Sequence, residues 1–229
     1  MNITGVKRVR TSDAVFNILR ESILDRTFLP GERLDVRALS AKLEVSQTPV
    51  KEAITRLVTE GLIEQRPRSG TYISVLSAED IKETLAVRRS LECLAAETIF
   101  NHMVEDDLAK LEEMVVLLER PIRNDRERQQ HERKNTEFHL RIVELSKNRK
   151  LMDFYRNLNA HLKMARVHYS SVFTAQRLQE ECVEHRTIMS ALEARDPAAL
   201  SGALSHHILR AAEVLIADME KAEARENPR

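Results

Sequence analysis

Apolar positions along the first third of the chain recur with helical spacing and then with alternation. Val15, Ile18, Leu19 and Ile23 share one face of a segment running from about 12 to 26, the stripe of an amphipathic helix. FLPG at 28–31 ends it, because a residue before proline resists the helix and glycine turns the chain. Asp35 is a capping residue ahead of Val36, Leu39 and Leu43. Ser46 is another, ahead of Val50, Ala53, Ile54, Leu57 and Val58, and its hydroxyl is expected to satisfy a free backbone N–H. Residues 62–66 and 71–75 alternate as strands around the turn PRSG at 67–70. From Ala78 onward the period is helical, predicting helices near 78–102, 105–119, 123–146, 149–172, 174–195 and 197–224. Pro121, Asn148 and the pair Asp196 and Pro197 mark breaks, and glycine is almost absent. The expected fold is mainly α: a winged helix-turn-helix over 1–76, then an antiparallel all-α bundle of about six helices over 77–229. The link at 74–78 is short, which limits the swing of the front domain.

The polar remainder of this pattern carries the chemistry. Gln47, Thr48, Lys51 and Thr55 point away from the apolar stripe, at or near the start of their helix. A polar, positively polarised helix end is what a recognition helix offers to a major groove. Arg66 and Arg68 tip the hairpin, a wing suited to phosphates or the minor groove. Arg37 lies off its helix's apolar stripe and is free to meet a phosphate, and Lys7, Arg8 and Arg10 form a basic tail. Charge is balanced over the 229 residues but unevenly split. Residues 1–74 carry 12 Lys and Arg against 9 Asp and Glu, and the rest 24 against 27. That bias agrees with a nucleic-acid-binding front without deciding it. Cys93 and Cys182 have no metal-type CxxC spacing and read as buried, reduced thiols. No apolar run approaches a membrane span and the first residues lack a signal-peptide core, so a cytoplasmic protein is expected.

The ordered residues PG..L, then R..L...L.VS.TPV.EA...L...GL, then RP..GT.I, resemble the winged helix-turn-helix of the GntR family of bacterial transcription regulators. The chain beyond this segment resembles the all-helical, FCD-type ligand domain of the family's FadR-like branch. The resemblance implies a homodimer on a palindromic operator. It places Arg37 at a backbone-contacting arginine, Ser46 and Thr48 at small hydroxyls that position the helix, and Arg66 and Gly70 in the wing beside Arg68 of the hairpin tip. The family usually has arginine where this chain has Gln47 and Lys51. Glutamine pairs more naturally with adenine than with guanine, and lysine keeps the charge without the fork.

In the helical part, Asn135 and His139 interrupt the apolar stripe of Phe138, Ile142 and Val143, one turn apart. His185 lies in the stripe of Leu178, Cys182, Met189 and Leu192. His207 lies in that of Leu200, Ala203, Leu204, Ile208, Ala211 and Leu215. Buried polar groups need partners, and imidazoles converging from three helices point to a divalent metal, zinc or nickel by their ligand type. His102, His131, His161 and His168 show no comparable convergence, and His206 lies off the stripe. The resemblance implies the same site, since many FadR-like domains bind metal through D-x-x-x-H and two later histidines. Asn135 stands in place of that aspartate and brings no charge. Arg88, on the face of Ile81, Leu85, Ala95 and Ile99, demands an anion, either Glu92 or a bound one. Family effectors are often small organic acids, which implies a carboxylate held by metal and Arg88. The reading is a ligand-responsive repressor rather than an enzyme. The alternatives are a metal-free polar pocket at the same histidines, a regulator that senses the metal itself, and a metalloenzyme. The metalloenzyme finds no HExxH here and leaves the first 75 residues without a use.

Overall fold

A computed structural model of the protein describes residues 11–169 and 174–226. Lys7, Arg8 and Arg10, and the expected helix end near 172, lie outside these residues. The chain divides into two units, the first ending at Leu76 and the second beginning at Ser77.

The first unit runs α1 (Thr11–Leu24), β1 (Arg33–Leu34), α2 (Val36–Lys42), α3 (Gln47–Thr59), β2 (Ile63–Arg66) and β3 (Gly70–Ile73). Helices α1 and α3 pack together, burying Val15, Phe16, Leu19 and Ile23 on one and Val50, Ala53, Ile54 and Leu57 on the other. Ile18, expected in this face, is 49% exposed. Phe16 takes its place, because the buried arc is centred between Val15 and Ile23 and turns Ile18 outward. Asp35 caps α2 as expected, accepting from the backbone N–H of Arg37 at 2.7 Å and of Ala38 at 3.1 Å. Ser46 occupies the N-cap of α3 in extended conformation, but its hydroxyl makes no capping hydrogen bond. The expected cap is therefore positional only, and the helix does not use that hydroxyl.

The sheet is antiparallel in the order β1-β3-β2. Strand β1, absent from the sequence reading, pairs Arg33 with Tyr72 and Leu34 with Thr71. Two residues are too short for alternation to register. Strand β3 ends at Ile73, so Val75, expected to extend it, is exposed beyond the sheet.

The second unit runs α4 (Ala78–Thr98) with a 3-10 turn at Ile99–Asn101, then α5 (Glu105–Leu118), α6 (Asp125–Leu145), α7 (Arg149–Tyr169), α8 (Ala175–Glu193) and α9 (Pro197–Glu226). A capping box opens α4, with Ser77 Oγ accepting from the Asp80 N–H at 3.1 Å and the Asp80 carboxylate from the Ser77 N–H at 2.9 Å. Asn124 and Thr174 side chains likewise cap α6 and α8. The main core joins Leu111, Val115, Phe138, Ile142, Ile188, Leu192, Leu200 and Leu204. Helix α4 packs on α9, α7 and α6, and α8 packs on α9 and α5. Those pairings decide which side chains can reach the interior polar groups. Cys93 and Cys182, expected buried, are half-buried free thiols, because both sit at the flank rather than the centre of their helices' inner faces. No described helix is long and apolar enough to cross a membrane.

Candidate DNA-reading face and buried polar centre

The start of α3 is presented to solvent: Ser46, Gln47, Thr48 and Lys51 are all exposed, while Val50, Ala53, Ile54 and Leu57 hold the helix from behind. Thr55, on the same outer face, returns its hydroxyl to the Lys51 carbonyl at 3.0 Å. Arg56 does not join this face. Its guanidinium binds Asp13 at 2.7 Å and lies 3.9 Å over the Phe16 ring, fastening α3 to α1. Arg37 is exposed on α2. In the hairpin, Arg66 is exposed, donates to Glu64 at 3.0 Å and lies 4.6 Å over the Tyr72 ring. Arg68 is exposed in the left-handed region at φ 61°. Gly70 has φ 144°, and a Cβ there would stand 3.0 Å from Arg33 Nε. Arg33, unnoticed in the sequence, therefore lies against the same hairpin.

In the second unit the structure brings together the four residues singled out by their stripes. Asn135 and His139 come from α6, His185 from α8 and His207 from α9, and all four are buried. The candidate ligand atoms of the three histidines lie within 4.8 Å of one another. His139 Nε2 and His207 Nε2 are 3.1 Å apart, and the two rings stack at 4.8 Å. His185 Nε2 is 3.1 Å from Asn135 Oδ1.

Two carboxylates stand behind the imidazoles. Glu92 on α4 is fully buried. It accepts from Arg88 Nε at 2.6 Å, Tyr155 Oη at 2.6 Å and His139 Nδ1 at 2.7 Å. Burial alone would raise its pKa, but Arg88 beside it and the bonds from His139 and Tyr155 hold it well below the carboxylate range. Burial pushes the Tyr155 hydroxyl up, so it stays a donor. Glu184 on α8 accepts from His207 Nδ1 at 2.8 Å and from Arg210 Nε and Nη2, which keep it ionised against the effect of burial. Arg88 thus has its anion inside the protein, one of the two possibilities open from the sequence.

These contacts fix the tautomers. Burial drives His139 down to about 4, more than Glu92 restores. It drives His185 well below its ordinary value, with His207 adding to the effect. His139 is therefore neutral at pH 7, and its single N–H goes to Glu92. His207 Nδ1 lies 2.8 Å from a Glu184 oxygen, and the two Nε2 atoms meet across 3.1 Å. Two imidazole nitrogens this close are held together by a cation between them, a proton or a metal. Nitrogens about 2.0–2.1 Å from a tetrahedral ion stand about 3.3 Å from each other, close to the 3.1 Å between His139 and His207, while the three candidate ligand atoms together spread over up to 4.8 Å. Imidazole N–H groups held by carboxylates are also the usual backing of metal-bound histidine. Three nitrogens and an amide oxygen fit a zinc- or nickel-type ion.

The sequence missed the outer part of this centre. His131, one turn before Asn135, is buried and 3.2 Å from Glu181 of α8. Contrary to the sequence reading it does converge. The signal was present as the i, i+4 series 131, 135, 139 on α6, matched by 181 and 185 on α8. A cavity of about 30 Å³ adjoins the centre, lined among others by His131, Asn135, Arg166, Glu181, His207 and Arg210.

A winged helix-turn-helix ahead of an all-helical unit with a buried polar centre defines a DNA-binding transcription regulator of the two-domain bacterial type. Sequence comparison gives the family. The description "Bacterial regulatory proteins, gntR family" matches residues 11–73, and the FCD domain matches residues 83–210. The chain belongs to the gntR family, with an FCD domain behind its reading head. It is 31% identical over 193 residues to the HTH-type transcriptional regulator YdhC of Bacillus subtilis, covering 83% of this chain and 85% of that one. It is 27% identical over 198 residues to the HTH-type transcriptional repressor RspR of Escherichia coli, covering 85% and 84%. Its fold is similar to that of Escherichia coli McbR/YncC, with a TM-score of 0.76 at 24% identity over 92% of this chain and 99% of that one.

Proposed function

We propose that this regulator is a homodimeric repressor of a palindromic operator, controlled by a small carboxylate metabolite at a divalent metal held by Asn135, His139, His185 and His207. The observation that carries the sensing half is the pair of Nε2 atoms 3.1 Å apart, each on a ring whose Nδ1 is fixed by a carboxylate. That arrangement turns both Nε2 atoms toward one another, as two ligands of a single ion require. A bound divalent ion supplies a Lewis-acidic centre that a carboxylate oxygen can join. Glu92 and Glu184 hold the rings in register, and Arg88 keeps Glu92 ionised. Similarity to a named repressor supports the sign of regulation.

In the reading half, Gln47 meets a base edge and Lys51 and Arg37 meet phosphates. Ser46 and Thr48 set the helix on the backbone, the Ser46 hydroxyl being unused by its own helix. Arg66, Arg68 and Gly70 form the wing. The acid acts by binding one arrangement of the helical unit more tightly than another, and the ratio of those affinities sets the response.

Selection from randomised duplexes gives the operator for the test. The protein–operator complex is then titrated with zinc or nickel alone, and with candidate acids at fixed metal. The expected result is metal bound stoichiometrically, and operator affinity that falls only when acid is added. A response saturated by metal alone identifies a metal sensor. A His139→Ala variant with unchanged metal content and unchanged acid response overturns the site.

A further inference from the structure

Strand β1 carries an exposed arginine whose guanidinium no described residue holds by a hydrogen bond or ion pair. The register sets Arg33 opposite Tyr72, and Tyr72 opposite Glu64. Cross-strand partners share a face, so these three stand on the outer face of the sheet, with Leu34, Ile63 and Ile73 buried behind it. Arg66 and Gly70 pair at the hairpin end of that same face. Arg66 is already engaged, donating to Glu64 at 3.0 Å and lying over the Tyr72 ring. Asp35, near enough to Arg33 to feel its charge, is occupied in capping α2. The place where the Arg33 guanidinium rests is marked by Gly70. A Cβ on that glycine would stand 3.0 Å from Arg33 Nε and 3.6 Å from Nη2, with the Tyr72 ring edge 3.5 Å away. The planar cation therefore lies over bare backbone, next to the turn that tips the wing. A glycine is where a backbone can be approached closely, and this one leaves the arginine a thin mounting.

We infer that Arg33 enters the minor groove beside each half-site and selects A·T over G·C pairs at the step the wing covers. The inference rests on the wing placement proposed above and deepens it: Arg68 at the tip meets a phosphate, and Arg33 meets the floor of the groove. The minor groove of B-DNA is about 6 Å wide, which admits a guanidinium with no side chain beneath it. Its negative potential is strongest where an A·T tract narrows it, and arginine is the side chain that gains most there. A guanine places its N2 amino group on the groove floor, a donor that meets the donors of Arg33. Helix α3 then reads the core of the half-site and β1 reads its flank, two sources of specificity on separate elements.

The test uses the full chain and its selected operator, with the flanking pairs made A·T, G·C or inosine·cytosine. Inosine lacks the 2-amino group, so its pair offers the major groove of G·C over a minor groove like that of A·T. Affinity is measured by fluorescence anisotropy over a range of salt. Wild type is expected to bind the A·T and inosine flanks alike and the G·C flank about tenfold more weakly. Arg33→Gln should bind all three at about the G·C level, and Arg33→Lys, which keeps the charge but loses the fork, should fall between. The core consensus and the urea midpoint should not move, since no internal bond is lost. A lowered midpoint with the flank preference intact makes Arg33 structural and overturns the inference. Equal loss on all three flanks makes it a phosphate contact and overturns the minor-groove assignment. Inosine treated like guanine shows the flank read from the major groove and overturns it as well. If Arg33→Gln changes neither affinity nor salt slope while Arg68→Gly lowers the slope, this inference fails and the wing placement stands. If neither variant changes the slope, both fail.

Discussion

Gln47 is the residue on which base preference should turn. It is exposed at the first position of α3, where its amide can pair with adenine N6 and N7, while arginine would choose guanine O6 and N7. Gln47→Arg is expected to move one position of each half-site from adenine to guanine, with discrimination of about 1–3 kcal/mol. Selection from randomised duplexes checks it, and an unaltered consensus would remove Gln47 from the base contacts. Arg68 is a second case in which side chain and backbone pull apart. A non-glycine residue at φ 61° carries backbone strain of about 1–2 kcal/mol, retained here at an exposed wing tip. Arg68→Gly should raise the stability of the first unit by up to about 1 kcal/mol in urea unfolding. The same change should lower the salt slope of DNA binding by about one phosphate. A variant that gained stability with no change in slope would make the arginine a bystander.

At the scale of elements, the helices meet through ion-paired side chains as well as through apolar faces. Glu92 of α4 joins Tyr155 of α7 and His139 of α6, so its loss should act on three helices at once. Glu92→Gln leaves the buried Arg88 without its counter-charge and is expected to cost about 3–5 kcal/mol of unfolding free energy. The double variant Arg88→Met, Glu92→Gln should recover much of that cost, which a urea series on both proteins would show. Gly202, exposed in α9, is the converse: a Cβ there meets nothing within 4 Å. Gly202→Ala should therefore stabilise the helical unit by about 0.5–1 kcal/mol. These elements also show what a sequence reveals. Asn135, His139, His185 and His207 were legible because each breaks an apolar stripe. Glu184 and Tyr155 were not, because their roles depend on which helices lie side by side, and periodicity within one helix carries no such information. Ile18 was misplaced for a related reason: a stripe fixes the buried arc only to within a residue until a partner helix selects its centre. Strand β1 exists only because β3 offers it an edge.

On the scale of the whole molecule, the proposed control requires that a change in the helical unit alter what the two heads of a dimer can reach. In the proposed dimer, half-sites one helical turn apart would lie about 34–36 Å from each other, so a small change in allowed placement would separate binding from release. Between the end of β3 at Ile73 and the start of α4 at Ala78 only residues 74–77 intervene, a reach of about 14 Å even when fully extended. The capping box of Ser77 and Asp80 fixes the last of these to the helix. Under the proposed function, so little slack would make head placement depend on the arrangement of the helical unit, and an acid that favours one arrangement would change operator affinity. About six glycine and serine residues inserted between Leu76 and Ser77 should make the permitted placements nearly the same for both arrangements. Both units would still fold, since the insertion falls at the boundary between them. Operator affinity should then stay within about tenfold of wild type and tolerate altered half-site spacing, because the heads remain tethered at high effective concentration. Acid binding measured by calorimetry should be unchanged while its effect on the operator complex largely disappears. If the inserted protein still responded fully to acid, control would have to pass by a route other than the length of this link.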